Sequence, residues 1–423
     1  MRQKTLRLGM KFFTPQHLCK SLLWAWGRYV RKWCRSCEKN QRNSISNRVT
    51  SMIRFGTWIL LLIIVSCGEQ RDTNRSQSTF SFPAGKKWVS FSEIVTPVDT
   101  TILEATPNSI VGTISEIKVT PAGLVVADNR YAKKIFLFRP SGEFIRTIGK
   151  SGSGPGEYRY ITSVQIDSEG RIYVLDNTLN KIIGFDASGQ FRQELNYATL
   201  GIYPACFCLL ENPDIHILFY NPESGLTEIS GDAPVILTDL QGDKLTFLRS
   251  IGKKEPLLSR LPFSFQAFAY SPNQKTIWLA EIFGLGLAVY TLAGELEREI
   301  RDACEVLPEP HIHSRHFEKF NRLSESLDTY YTFTRFRHLI MTKDYVLALY
   351  FSPDYRHILI FNHHGDLLLA TRDKKDTLPN WFYASEGNDL FSYEHSPETD
   401  QALDYLTNPF LIRYRINNDI SIP

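Results

Sequence analysis

No local catalytic signature occurs in the 423 residues: there is no G-x-S-x-G elbow, no H-E-x-x-H pair and no pair of carboxylates at a diagnostic spacing. Chemistries that announce themselves within one short segment are thereby excluded. Zinc-finger spacing is missing too. Cys34 and Cys37 form a C-x-x-C that no second pair follows, and Cys19, Cys67, Cys206, Cys208 and Cys304 are scattered. Cys206 and Cys208, two apart, share one face of an extended strand and read as small buried apolar residues rather than as a disulfide. The apolar run at 58–65 has only about eight residues, too few to cross a hydrocarbon core of about 30 Å. Net positive charge is missing from most of the chain. Residues 1–51 hold 12 of the 48 Lys and Arg and one of the 45 Asp and Glu, so that segment carries +11 and the remainder −8. A body of that sign repels a phosphate backbone, which excludes nucleic acid as a partner.

What the chain does contain is a pattern written twice between residues 114 and 195. Gly123 and Gly170 are 47 apart, as are Gly142 and Gly189. Each copy alternates apolar and polar residues in short runs broken by Gly, Asn and Asp, the rhythm of strands. A fixed period near this length means stacked or radially arranged units, each too small to bury its own apolar face. Hairpin turns built on a glycine close both copies at Gly142 and Gly189, and weaker echoes follow at Gly242, Gly294 and Gly365. The last interval exceeds the others by about 20 residues, and a polar insert at 310–331 with helical spacing accounts for the excess. Apolar segments at 378–383, 389–393 and 410–416 supply a further unit, completed by an entry strand near 88–94 that ties the chain ends together. The expected fold is all-β: a six-bladed β-propeller, with seven blades as the alternative, and a helical insert near 310–331.

Four segments precede or form this body. Residues 1–51 are a basic leader expected to lie outside the fold, with Met52 as a plausible start. Residues 52–66 combine Arg54, the apolar run and a small residue, the layout of a secretory signal. Their end, Ile64-Val65-Ser66-Cys67, resembles a bacterial lipobox, which implies cleavage before Cys67 and acylation of its thiol. Residues 67–86 read as the lipidated cysteine and a polar flexible tether, and 87–423 as the propeller domain. The expected address is the bacterial cell envelope, by lipid on the outer membrane, with the leaflet open.

The run Gly149-Lys150-Ser151-Gly152-Ser153-Gly154-Pro155-Gly156-Glu157-Tyr158, with Ile172-Tyr173-Val174-Leu175-Asp176 after it, resembles NHL repeats. The likeness is strong over 114–195, faint over 205–370 and absent beyond. Together with the lipobox, the whole resembles six-bladed, TolB-like β-propeller lipoproteins. That resemblance implies fold and address rather than an activity. The same glycine run lacks the Gly-Lys-Ser/Thr ending and following helix of a phosphate loop, and reads as a crossover between units.

Asp128-Asn129 and Asp176-Asn177 stand at matching strand ends. They read either as polar groups binding at a channel mouth or as Asx-turns that stop one strand and start the next, and their repetition favours the turn. Tyr330 and Tyr331 in the insert are candidate contacts. His311, His313 and His316 form H-x-H-x-x-H, weak metal candidates of which only the last two share a helical face. No cofactor is expected. The leading function is a binding or scaffolding module for a peptide, a glycan or an envelope protein. The alternative is a propeller hydrolase or lyase with a divalent metal on the axis, to which Glu116, Asp128, Asp176 and Glu281 are possible contributors.

Overall fold

Short apolar runs between glycine-bearing turns make nearly every described element a strand. The computed structural model describes residues 76–80, 88–210, 216–220, 233–252, 268–281, 286–302, 306–307, 335–379, 382–384, 387–394 and 408–417, all within one unit, Asn74–Pro423. Strand β1 (Ser76–Phe80) comes first, then one helical turn α1 (Phe91–Ile94) leading into β2 (Val95–Ile102). Antiparallel meanders follow. The first is β3 (Glu116–Thr120), β4 (Gly123–Asp128), β5 (Lys134–Phe138) and β6 (Phe144–Ile148), after which a ribbon of β7 (Lys150–Ser151) and β8 (Glu157–Tyr158) crosses over. Next come β9 (Ser163–Ile166), β10 (Ile172–Asp176), β11 (Lys181–Phe185) and β12 (Phe191–Asn196). These are followed by β13 (Cys206–Leu210), β14 (His216–Tyr220), β15 (Val235–Gln241) and β16 (Lys244–Ile251). The pattern repeats in β17 (Phe268–Ser271), β18 (Thr276–Ala280), β19 (Gly286–Thr291) and β20 (Leu296–Asp302). It repeats again in β21 (Arg335–Met341), β22 (Tyr345–Phe351), β23 (Tyr355–Asn362) and β24 (Leu367–Lys374). The last strands are β25 (Tyr383–Ala384), β26 (Asp389–Glu394) and β27 (Phe410–Ile416), with β2 paired antiparallel to β27 at the outer edge.

Hydrogen bonding does not separate these strands into the six sheets expected. Asn196 of β12 pairs in parallel with Lys244 of β16, and this single link fuses β9–β12 and β13–β16 into one eight-stranded sheet. The count is therefore five sheets and the β7–β8 ribbon, in an all-β, propeller-like arrangement. Two further expectations shift. The closing strand is Val95–Ile102, not 88–94, because the Phe91 N–H donates to both carboxylate oxygens of Asp373, at 3.0 and 3.2 Å, and nucleates α1 there. Within the stretch read as tether, Ser76–Phe80 forms β1, parallel to β20 in an edge position that extended backbone can fill. The expected helical insert at 310–331, the leader and Cys67 lie outside the described residues.

Successive side chains of each middle strand point to opposite faces, and that explains the packing. Val125 and Ala127 of β4, with Ile135 and Leu137 of β5, pack against Val164, Val174, Ile183 and Phe185 of the next meander. Leu124, Val126, Phe136 and Phe138, on the opposite face of the same strands, pack against Phe391 and Leu411 of the last sheet. Both faces are thus covered, which is why the middle strands read as unbroken apolar runs rather than as alternation. The same two-sided arrangement recurs onward through Tyr173, Phe207 and Phe219, Trp278 and Phe361, and Leu349, Phe382 and Ile416. Each such side chain contributes about 1.5–3 kcal/mol on burial.

The five turn glycines named from the sequence all adopt left-handed backbone, with φ of 90° at Gly142, 80° at Gly189, 66° at Gly242, 85° at Gly294 and 89° at Gly365. The glycine-rich crossover is pinned by Tyr158, whose buried hydroxyl donates to the Ile148 carbonyl at 2.9 Å and accepts from the Ile135 N–H at 3.2 Å. Among the described residues, no helix is long and apolar enough to cross a membrane.

Candidate functional site

The first strands of the meanders begin at one common end. Glu116 of β3 is opposite Ala127 of β4, which brings Asp128 beside the start of β3; Ser163 of β9 is opposite Leu175, which does the same for Asp176. The Asn177 amide donates to the Pro204 carbonyl at 2.7 Å, joining the second turn to the loop that enters β13. First strands also touch in sequence: β3 meets β9, β9 meets β13, β17 meets β21, β21 meets β25, and β25 returns to β3.

Polar side chains collect where these strands face one another. The Ser163 hydroxyl donates to buried Glu116 at 3.3 Å, and Lys118 Nζ lies 3.5 Å from the same carboxylate. Buried His338 of β21 is held down to about 3, chiefly by burial and then by the Lys118 and Arg337 charges. Burial pushes the Cys208 thiol up to about 12, and burial pushes Cys206 up as well. Both thiols are free, as expected from their spacing. Burial thus favours the uncharged form of all three groups.

A pH dependence follows. Burial, with Arg372 and Arg356 nearby, also holds His357 down to about 4. An unfolded histidine titrates near 6.5, so between that value and the lowered native ones the unfolded chain binds more protons. The stability from keeping His338 and His357 neutral is complete above pH ~6.5 and is lost as the pH falls, by up to about 1.4 kcal/mol per unit per histidine. The urea midpoint should decline measurably from pH 7 to about 5, and His338→Gln/His357→Gln should flatten the decline. A flat wild-type profile would contradict this.

Around the axis, two carboxylates organise the turns. Asp128 accepts the N–H groups of Gly112 (2.7 Å), Thr113 (3.1 Å), Arg130 (3.0 Å) and Tyr131 (2.8 Å). Asp176 accepts those of Arg159 (2.6 Å), Tyr160 (3.2 Å), Thr178 (2.8 Å) and Leu179 (3.0 Å). Each buried carboxylate thus ties the loop entering a first strand to the turn leaving the second. Asn177 is committed to Pro204 and to the Tyr197 hydroxyl, which donates to it at 2.9 Å, whereas Asn129 stays half-exposed.

The profile of the family described as domain of unknown function DUF4934 matches residues 84–301, just over half of the chain. The chain belongs to this family. No curated protein matches it. A solved structure of a Bacteroides fragilis protein described as exported is similar at 15% identity and a TM-score of 0.57, over 81% of this chain and 99% of that one. A member of the DUF4221 family from Bacteroides vulgatus is similar at 13% identity and a TM-score of 0.53, over 77% of this chain and 99% of that one. At these identities the likeness is one of fold.

In this DUF4934 chain, the site residues named from the sequence divide in two. Asp128-Asn129 and Asp176-Asn177 stand at the common end, each pair in the turn of its own meander, with Glu116 at the start of β3, and Glu281, just after β18, pairs with Arg301 at 2.8 Å. Cys67, Tyr330, Tyr331, His311, His313 and His316 lie outside the described residues. Among the described residues, no three His, Cys, Asp or Glu side chains gather as a metal would need. Lys118, Ser163 and His338 escaped notice because the axis draws one or two residues from each sheet. Ser163 alone left a signal, since it stands 47 residues after Glu116, the period of the repeat.

Proposed function

We propose that the chain is an envelope lipoprotein, acylated at Cys67, whose six-bladed propeller is a binding or scaffolding module that takes its ligand at the end where the first strands begin. The six-blade reading draws on the single Asn196–Lys244 link between β9–β12 and β13–β16, and takes the eight-stranded sheet as two blades touching at one corner. The envelope address draws on the lipobox-like Ile64-Val65-Ser66-Cys67 and on the description of the Bacteroides fragilis protein as exported. Asp128 and Asp176 serve in this reading as the frame of the binding face, with Asn129 at its surface.

One observation carries the site: Tyr131, Tyr160 and Tyr203 stand 66%, 44% and 54% exposed, all on the loops of that end. Tyrosines left in water beside a framed turn suit contact with a partner, because they offer large area at low ordering cost. The test has two arms. Cys67→Ser should move the protein from the membrane to the soluble fraction, and Tyr131→Ala/Tyr160→Ala/Tyr203→Ala should abolish retention of an envelope component that wild type captures. Membrane retention of the Cys67→Ser variant, or capture unaffected by the triple variant, would defeat the corresponding arm.

A further inference from the structure

We infer that the tyrosine face takes an acidic polypeptide segment. This rests on the reading that this end of the body binds, and adds the chemistry of the partner. The body outside residues 1–51 carries −8, yet the loops bearing Tyr131 and Tyr160 expose cations. Arg130, Lys133 and Arg159 are exposed here, and none makes an ion pair among the described residues. The carboxylates adjoining these loops in sequence are already engaged: Asp128 and Asp176 each hold four backbone N–H groups, and Glu157 lies 3.0 Å from Lys150. Unpaired cations on an acidic body select an anionic partner by charge complementarity.

The tyrosines and arginines also come as pairs. Arg130-Tyr131 and Arg159-Tyr160 each donate two consecutive backbone N–H groups to one buried carboxylate. Their side chains therefore project from fixed stubs, which lowers the ordering cost of binding. Arginine beside tyrosine is the composition that concentrates energy in protein interfaces. A sugar stacks on a bare aromatic face, but the Arg130 guanidinium already lies over the Tyr131 ring, 5.6 Å from its centroid. In that position the guanidinium keeps N–H groups for a carboxylate while the ring supplies apolar contact.

The experiment uses the full-length chain in non-ionic detergent, with fluorescence anisotropy of a labelled glutamate–tyrosine copolymer as the probe and polygalacturonate as the competing anionic glycan. Saturable binding of the copolymer is expected, weakening as salt rises from about 50 to about 300 mM. Arg130→Glu/Arg159→Glu and Tyr131→Ala/Tyr160→Ala should each weaken it by at least about tenfold with an unchanged melting temperature. No saturable copolymer binding, or binding indifferent to both variants, would overturn the inference. Preference for polygalacturonate would overturn the polypeptide while leaving the face as a binding surface. An envelope component retained equally by wild type and the tyrosine variants would instead remove the broader reading.

Discussion

Replacing Asp176 with alanine is expected to lower the free energy of unfolding by about 3–5 kcal/mol, well beyond the loss of an ordinary cap. The carboxylate is fully buried and receives four backbone N–H groups, from Arg159, Tyr160, Thr178 and Leu179. Alanine would leave those donors without their acceptor, and each buried unmet donor costs on the order of 1–3 kcal/mol before water finds a way in. Asp176→Asn keeps one acceptor oxygen but brings an amide donor where two N–H groups already point, so a loss of roughly half that size is expected. Urea unfolding at pH 7 measures both. A change within about 0.5 kcal/mol for the alanine variant would mean that the turns hold themselves, and that the repeated aspartates have another purpose.

A larger loss is expected from Leu411→Asp. Leu411 on β27 is fully buried among Leu103, Val126, Phe136 and Phe391, where the last sheet meets the first meander. β27 is also the strand to which β2 pairs, so the substitution strikes the seam that joins an early strand to the last one. An aspartate there either stays ionised without a partner or takes up a proton, and it loses the apolar contacts in both cases. The expected cost is at least about 5 kcal/mol, enough to abolish cooperative unfolding in a body of ordinary stability. Leu411→Met, similar in volume, should cost under about 1.5 kcal/mol and shows that the effect is charge at the seam rather than any change there. Circular dichroism melts of the two variants make the comparison.

The parts of this fold written in local chemistry were legible in the sequence. Gly142 and Gly189 announced hairpins because a left-handed turn wants glycine, and the 47-residue interval between them gave the repeating unit. Parts decided by distant partners were not legible. Residues 88–94 alternate well enough to read as the closing strand, but Asp373, some 280 positions away, captures the Phe91 N–H and turns the segment into α1. The strand that does close the last sheet, Val95–Ile102, contains Pro97 and a register shift beside it, which interrupt its alternation. Ser76–Phe80 is too polar to read as a strand, and pairs because β20 offers an edge. The axial groups could not be assembled in advance for the same reason: Glu116, Ser163, Cys208 and His338 come from four separate first strands. Asp128 and Asp176 were visible as a repeated pair, but their sequence positions did not tell that each binds the loop before its meander as well as the turn after it.

The seam between β2 and β27 is where the ring of meanders either closes or stays open, and a disulfide tests it most directly. Thr100 and Ile412 are Cα partners in that pairing, within the range a cross-link requires. The variant Thr100→Cys/Ile412→Cys should form one intramolecular disulfide on mild oxidation, mapped by mass spectrometry, and should gain about 2–4 kcal/mol of stability from restraint of the unfolded chain. If both cysteines instead remain reduced in the folded protein, β2 and β27 are not paired and the closed ring is wrong.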